Sequence, residues 1–446
     1  MRKLESLALA LVAFGTVASC SDSDDGPVST PAASLPPDVA VAWFDQLYTA
    51  IRSNSLAPPP ASRVIGYCGV AAYESVVGGM PDFRSLGGQL NDLAALPAAD
   101  PGAYHWPSVL NAALADVIVG LIPTANMPTL DAIAALETSF EDLYDDTIAA
   151  SVLTRSQERG ADIAAAIVAW STTDGFATLN NCAYVPPVSD GAWEPTGPAF
   201  AANPLQPCWG QLRPMVLLFG AECPSLPPPT YSTSTTSAFY AEALEVRNIV
   251  AEIKDNIANS VADDRDDIAL FWADNPGATG TPPGHWISIV GQVVEQYDLT
   301  LADAVEGYAR VGMAVNDAFI SCWDMKYYYN LLRPISYIDA LIEPGWTTLS
   351  APQLNTPPFP EYTSGHSVQS GAAARVLTDL WGDLPFVDLH PALAITRNYG
   401  SFDEAAEEAA FSRIYGGIHY RSGCVRGVQQ GSCVGQAIVN NVEFRE

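Results

Sequence analysis

Three short blocks in the last third of the chain hold residues that could do chemistry together. In WDMKYYYNLLRP, residues 323–334, Lys326 and Arg333 stand seven positions apart. That is two helical turns, so a helix there would set both cations on one face, and Pro334 suits the first turn of a following helix. The second block, FPEYTSGHS, puts Ser364, Gly365 and His366 just ahead of a helix-spaced run, Val368, Ala372, Val376, Leu377, Leu380 and Trp381. A helix N-terminus has N–H groups without partners and a partial positive charge, which together attract anions. In the third block, SRIYGGIH, Arg413 precedes Gly416-Gly417, a helix break that lets His419 turn inward. Taken singly, these are a solvated pair of charges, a capping histidine and a loop. Taken together they supply three cations, a helix N-terminus and two histidines. That set matches a tetrahedral oxyanion of high negative charge.

The elements that must position these residues read as helices. Val39–Ser53, Ser62–Val77, Trp106–Leu121, Leu130–Ala149, Thr154–Thr173, Ala238–Asn256 and Asp264–Trp272 carry apolar residues at three- and four-residue spacing. A long segment, Thr300–Trp323, opens with Thr300 and Asp303 in capping-box spacing and is apolar on most sides, which predicts a central buried helix. Cys424–Val442 places Gly427, Gly431 and Gly435 four apart on one face, as close helix–helix contact requires. No series of alternating strands appears. From about 183 to 237 the chain is rich in Pro, Gly, Trp and Thr and reads as an ordered irregular insert. The fold class is all-α, a helical bundle with one irregular insert.

Composition narrows the partners. Fifty acidic residues against 20 basic ones give a formal charge of −30, which argues against nucleic acid or anionic lipid. Met1-Arg2-Lys3 and the apolar run from Leu7 to Ala18 read as a secretory signal, residues 1–19. Residues 20–37 are acidic and rich in Ser and Pro, a flexible tether, and 38–446 form the all-α domain with its motifs in 323–423. No later stretch is long and uncharged enough to span a bilayer. Export permits disulfides, but the seven cysteines after Cys20 are odd in number and their pairing is not legible. His105, His285 and His390 read as structural, and the acidic run 263–267 as a helix N-terminus rather than a Ca²⁺ loop. No HExxH or GxSxG motif and no phosphate-cradling glycine loop is present.

Lys, six residues, Arg-Pro; then Ser-Gly-His; then Ser-Arg, five residues, His: this order resembles the signature shared by vanadium-dependent haloperoxidases and type 2 phosphatidic acid phosphatases. SRVIGYCGVAAYES and PPGHW, in the helical arm before the blocks, resemble the bacterial haloperoxidase branch. The resemblance implies two four-helix bundles in one compact unit, and vanadate as cofactor. It implies that His419 binds vanadium axially while Lys326, Arg333 and Arg413 neutralise the other oxygens. Ser364 and the Gly365 N–H would donate hydrogen bonds to them, His366 would serve as acid–base group, and Lys326 would polarise bound peroxide. Trp323 and Phe359 match positions that line the halide approach. Hydrogen peroxide and halide, iodide or bromide ahead of chloride, would be substrates, with small organic acceptors beside them. VASC at 17–20 resembles a bacterial lipobox, which implies lipidation of Cys20, the membrane contact this reading provides. The protein would sit in the bacterial envelope, on the outer membrane, or be periplasmic or secreted.

Two positions depart from the family pattern. Thr363 stands where Pro is frequent, and a Thr there could cap the helix. Gly423 stands where Asp is frequent, four residues after the last His, so a backbone carbonyl, a water or a distant side chain must orient His419. The missing Asp counts against the alternative, an exported acid phosphatase working through a phosphohistidine on His419. A non-catalytic surface lipoprotein that binds an oxyanion is the third reading.

Overall fold

The structure, a computed structural model, describes residues 29–197, 200–349 and 355–446. The signal-like segment and Cys20 lie outside the described residues. The expected tether is packed from Ser29 onward. Ser29 Oγ accepts from the Tyr104 N–H, Ala32 is fully buried, and the Leu35 carbonyl accepts from the Leu301 N–H.

Among the described residues the chain forms fourteen α-helices and one hairpin. The first six helices are α1 (Asp38–Ser53), α2 (Pro58–Val76), α3 (Trp106–Leu121), α4 (Met127–Asp145), α5 (Ala150–Ser171) and α6 (Phe176–Leu179). After the insert come α7 (Ala238–Ala258), α8 (Asp264–Phe271), α9 (Thr281–Gln296), α10 (Leu301–Tyr329) and α11 (Pro334–Leu341). The chain continues through α12 (Gly365–Trp381), the strands β1 (Phe386–Leu389) and β2 (Thr396–Tyr399), α13 (Phe402–Tyr415) and α14 (Arg421–Asn441). The antiparallel hairpin pairs Phe386 with Tyr399, a short element the helical reading passed over. Helix α9 was also not anticipated. Pro282 and Pro283 look like loop residues, yet proline is tolerated in a first turn where N–H groups lack acceptors anyway.

The helices form two groups that share α10. On one side α10 packs on α2, which packs on α3 and α5; on the other it packs on α12 and α14, with α13 beside them. The Thr300–Asp303 capping box is made, and α10 is buried along nearly its whole length. Glycines set the second group's spacing. A Cβ on Gly431 would stand 1.9 Å from the Val368 carbonyl oxygen of α12, and one on Gly435 would stand 2.7 Å from that of Ala372.

The insert is tied down at defined points. Buried Asp317 of α10 accepts three consecutive backbone N–H groups, Met215, Val216 and Leu217, at 2.7–2.9 Å. Disulfides join Cys182 to Cys208 within the insert and Cys223 to Cys433 on α14, while Cys68, Cys322 and Cys424 are buried thiols. No described helix is long and apolar enough to cross a membrane.

Candidate active site

The site stands where α10, the segment before α12 and the turn after α13 meet. Lys326 and Arg333 do not share a helix face. Asn330 adopts a left-handed conformation (φ 47°) and ends α10, and Arg333 follows in extended backbone before Pro334 opens α11. The two cations converge because the chain turns back. Lys326 Nζ donates to the carbonyls of Pro360 (3.0 Å) and Glu361 (2.9 Å), leaving one N–H of three to offer. Arg333 donates Nε to the Phe359 carbonyl (2.9 Å) and Nη1 to that of Ile418 (2.8 Å), while Nη2 has no protein partner. Burial lowers Lys326 to about 8 and Arg333 to about 10.

Ser364 caps α12, its Oγ accepting from the Ser367 N–H (3.4 Å), so its hydroxyl hydrogen remains available. Thr363 does not cap, because its hydroxyl is directed instead to Gln430 of α14 at 2.6 Å. Gly365 is the first residue of α12, where the backbone N–H has no acceptor within the helix. His366 follows with Nε2 unpartnered, and the Trp272 carbonyl is the backbone acceptor beside its ring. Arg413 donates Nη1 to that same carbonyl at 2.7 Å and keeps Nε unpartnered. Gly417 (φ 79°) turns the chain after α13 and brings His419 to the same place.

His419 carries the deciding geometry. Its Nδ1 lies 2.6 Å from Glu361 Oε1 and its Nε2 lies 3.0 Å from Arg333 Nη1. An arginine has only N–H to offer, so Nε2 must present its lone pair, and the ring proton sits on Nδ1 facing the carboxylate. Burial, then Arg333, Lys326 and Arg413, hold His419 far below its ordinary pKa; burial and Arg413 do the same to His366. The partner absent at Gly423 is therefore supplied by Glu361. The two positions are sterically linked, since a Cβ on Gly423 would stand 2.4 Å from Glu361 Oε1.

Trp323, Phe359, Gly365, His366, Arg413 and His419 line one cavity of about 240 Å³; Lys326, Arg333 and Ser364 are buried beside them. Its walls are largely apolar, and the Trp323 and Phe359 rings sit 5.0 Å apart with Lys326 Nζ over both. Sequence reasoning missed two contributors. Glu361 lies inside the quoted second block, and only its fit against Gly423 signals its role. Asp274, also in the wall, is joined to His285 and His390, which sequence reading set aside as structural.

A family model described as the second helical-bundle domain of VCPO matches residues 307–445. The crystal structure of a bacterial vanadium-dependent iodoperoxidase superposes with a TM-score of 0.84 at 34% identity, covering 94% of this chain and 99% of that one. The chain belongs to the vanadium-dependent haloperoxidases. The vanadium chloroperoxidase of Curvularia inaequalis is 29% identical over 212 residues, 34% of this chain and 35% of that protein. The aligned region thus spans about a third of the curated relative's length. A bacterial vanadium-dependent chloroperoxidase shares the fold, with a TM-score of 0.60 at 14% identity over 91% of this chain.

The residues present fit the oxyanion this family takes. Arg333 Nη2, Arg413 Nε and His366 Nε2 are buried without protein partners, around a neutral histidine nitrogen that offers a lone pair. Buried polar atoms left this way are costly unless a ligand completes them. Because Glu361 restores a carboxylate behind His419, the argument from Gly423 against a phosphatase falls; the family match is what favours the peroxidase.

Proposed function

We propose that the chain uses vanadate to oxidise halide, iodide or bromide before chloride, with hydrogen peroxide. The observation that carries this is the His419 Nε2 lone pair, fixed by Glu361 and set among Lys326, Arg333 and Arg413. Vanadium(V), when bound, supplies Lewis acidity that activates peroxide toward halide. His419 Nε2 would hold the metal, and the Glu361 carboxylate keeps the ring proton on Nδ1. Arg333 Nη2, Arg413 Nε, the third Lys326 N–H, the Ser364 hydroxyl and the Gly365 N–H would neutralise or bond the oxygens of the bound oxyanion. Formation of hypohalous acid from peroxide and halide consumes one proton. His366, held neutral by burial and Arg413 and lining the cavity, would take up and pass on protons there.

Trp323 and Phe359 form the halide approach. Their rings exclude water beside the Lys326 cation, which suits weakly hydrated anions and favours iodide. Small organic acceptors would enter the same cavity, which Pro58, Pro276 and Pro358 also line.

The test uses purified chain with and without orthovanadate, given peroxide and iodide and followed by triiodide absorbance. Iodide oxidation that requires vanadate and disappears in His419→Ala is expected. Release of p-nitrophenol from its phosphate ester by the vanadate-free chain, with no halide oxidation after loading, would overturn it.

Export with a lipid anchor at Cys20 belongs to the same proposal. Two disulfides are in keeping with an oxidising compartment. Cys20→Ser is expected to move the protein from the membrane pellet to the soluble fraction, and unchanged partitioning would sink the anchor.

A further inference from the structure

Behind the cavity wall lies a buried polar cluster that the scheme above does not use. His285, on α9, is completely buried with a carboxylate at each ring nitrogen: Nδ1 is 2.8 Å from Asp274 Oδ2 and Nε2 is 3.0 Å from Asp388 Oδ2. Carboxylates only accept, and a neutral imidazole has one N–H, so a ring donating to both is an imidazolium. Burial opposes that charge, but Asp274 and Asp388 outweigh it and hold the ring near pKa 10.

The third member, His390, accepts the Ala392 and Leu393 N–H groups on Nδ1 (3.1 and 3.2 Å). Its Nε2 therefore bears the proton and faces Asp274 Oδ1 at 3.3 Å. Asp274, His285 and His390 are close enough to surround a cation, yet these tautomers aim ring N–H groups, not lone pairs, at Asp274. The cluster is a clamp on Asp274 rather than a metal site.

What the clamp holds is a short piece of the cavity wall. Asp274 has left-handed backbone (φ 45°), a conformation that costs a non-glycine residue energy unless its surroundings impose it. Two residues earlier, the Trp272 indole stacks on the His285 ring, centroids 4.3 Å apart. His285 thus grips the residues on both sides of Ala273. The Trp272 carbonyl between those grips is the one that accepts Arg413 Nη1 and faces the His366 ring.

We propose that His285 is a positioning residue for the oxyanion site: held between Asp274 and Asp388, it fixes 272–274 so that the Trp272 carbonyl takes the His366 Nδ1 proton and one Arg413 nitrogen. His366 Nε2 and Arg413 Nε, which lack protein partners, are then left for the oxyanion. The idea rests on the reading of His366 and Arg413 given above.

The test is made first on vanadate-free protein. Long-range ¹H–¹⁵N spectra of histidine-labelled chain report which ring nitrogen of His366 carries the proton, with His366→Ala providing the assignment. The parent is expected to show a single Nδ1–H tautomer, and His285→Phe, which keeps the stacking ring but loses both N–H groups, a mixture of the two. Vanadate affinity, read by titration, should fall about tenfold in that variant, the lower end for groups that orient ligands from behind. The turnover number should fall while KM for iodide holds. If His285→Phe does not fold by circular dichroism, Asp274→Asn, which keeps an acceptor oxygen but removes the charge, is measured in its place. A folded variant whose His366 tautomer and vanadate affinity equal the parent's overturns the proposal. Because the tautomer is read without halide, failure of the peroxidase reading would be visible separately.

Discussion

Glu361→Ala is expected to weaken vanadate binding by roughly 10- to 100-fold, the usual cost of removing a group that orients a metal-binding histidine. The carboxylate is buried, 2.6 Å from His419 Nδ1, and also accepts the Tyr420 N–H at 3.1 Å. Burial pushes it up to about 7, while Arg333 and Lys326 pull the other way and favour its anion. Without it the Nδ1–H has no acceptor and the ring loses its reason to keep Nε2 bare; a proton on Nε2 blocks ligation outright. Glu361→Gln retains an oxygen acceptor and should lose much less. Gly423→Asp alone should be damaging, because even a Cβ there meets Glu361 Oε1 at 2.4 Å. The double variant Glu361→Ala/Gly423→Asp empties that space and offers a carboxylate from the position where related sequences often have one. It should recover most of the affinity. Calorimetric titration with orthovanadate distinguishes these cases. Parent-like affinity in Glu361→Ala, or no recovery in the double variant, would show that His419 is oriented by something else.

The same pair shows where sequence reading stops. Lys326, Arg333, Ser364, His366, Arg413 and His419 are legible because their spacing is local, each block sitting at a helix end. The capping box at Thr300 and the glycine face of α14 are local patterns too, and the structure makes both. Glu361 is not legible in this way. It meets His419 across 58 residues, and Asp274 meets His390 across 116. Contacts of that kind are decided by how helices pack, which no periodicity encodes. Asn330 illustrates the opposite failure. A run of YYYNLLR continues a helical pattern, but a left-handed asparagine is a helix stop, and here it swings Arg333 into the site by a turn rather than along a face.

Gly431→Ala should be among the most destabilising single methyl additions in the chain, costing about 3 kcal/mol, the upper end for overpacking, or more. Its Cβ would lie 1.9 Å from the Val368 carbonyl oxygen and 2.8 Å from the carbonyl carbon. Both are backbone atoms of α12, so no side chain can swing aside, and the two helices must part. Nor can the strain dissipate nearby. A Cβ on Gly371 would stand 2.5 Å from the Val428 carbonyl oxygen and one on Gly427 would stand 2.7 Å from Ser367 Cβ, so the contact is close on both sides. The consequence reaches the site because α12 begins at Gly365 and carries His366 in its first turn, while the Gln430 carboxamide on α14 meets the Thr363 hydroxyl just before it. Thermal unfolding of Gly431→Ala should come several degrees below the parent. The fraction still folded should bind vanadate more weakly, even though position 431 touches no group of the oxyanion site. Gln429→Ala, exposed on the same helix, should change neither quantity. An unfolding temperature for Gly431→Ala equal to that of Gln429→Ala would mean that α12 and α14 are not packed backbone to backbone, and the position of His366 would then need another explanation.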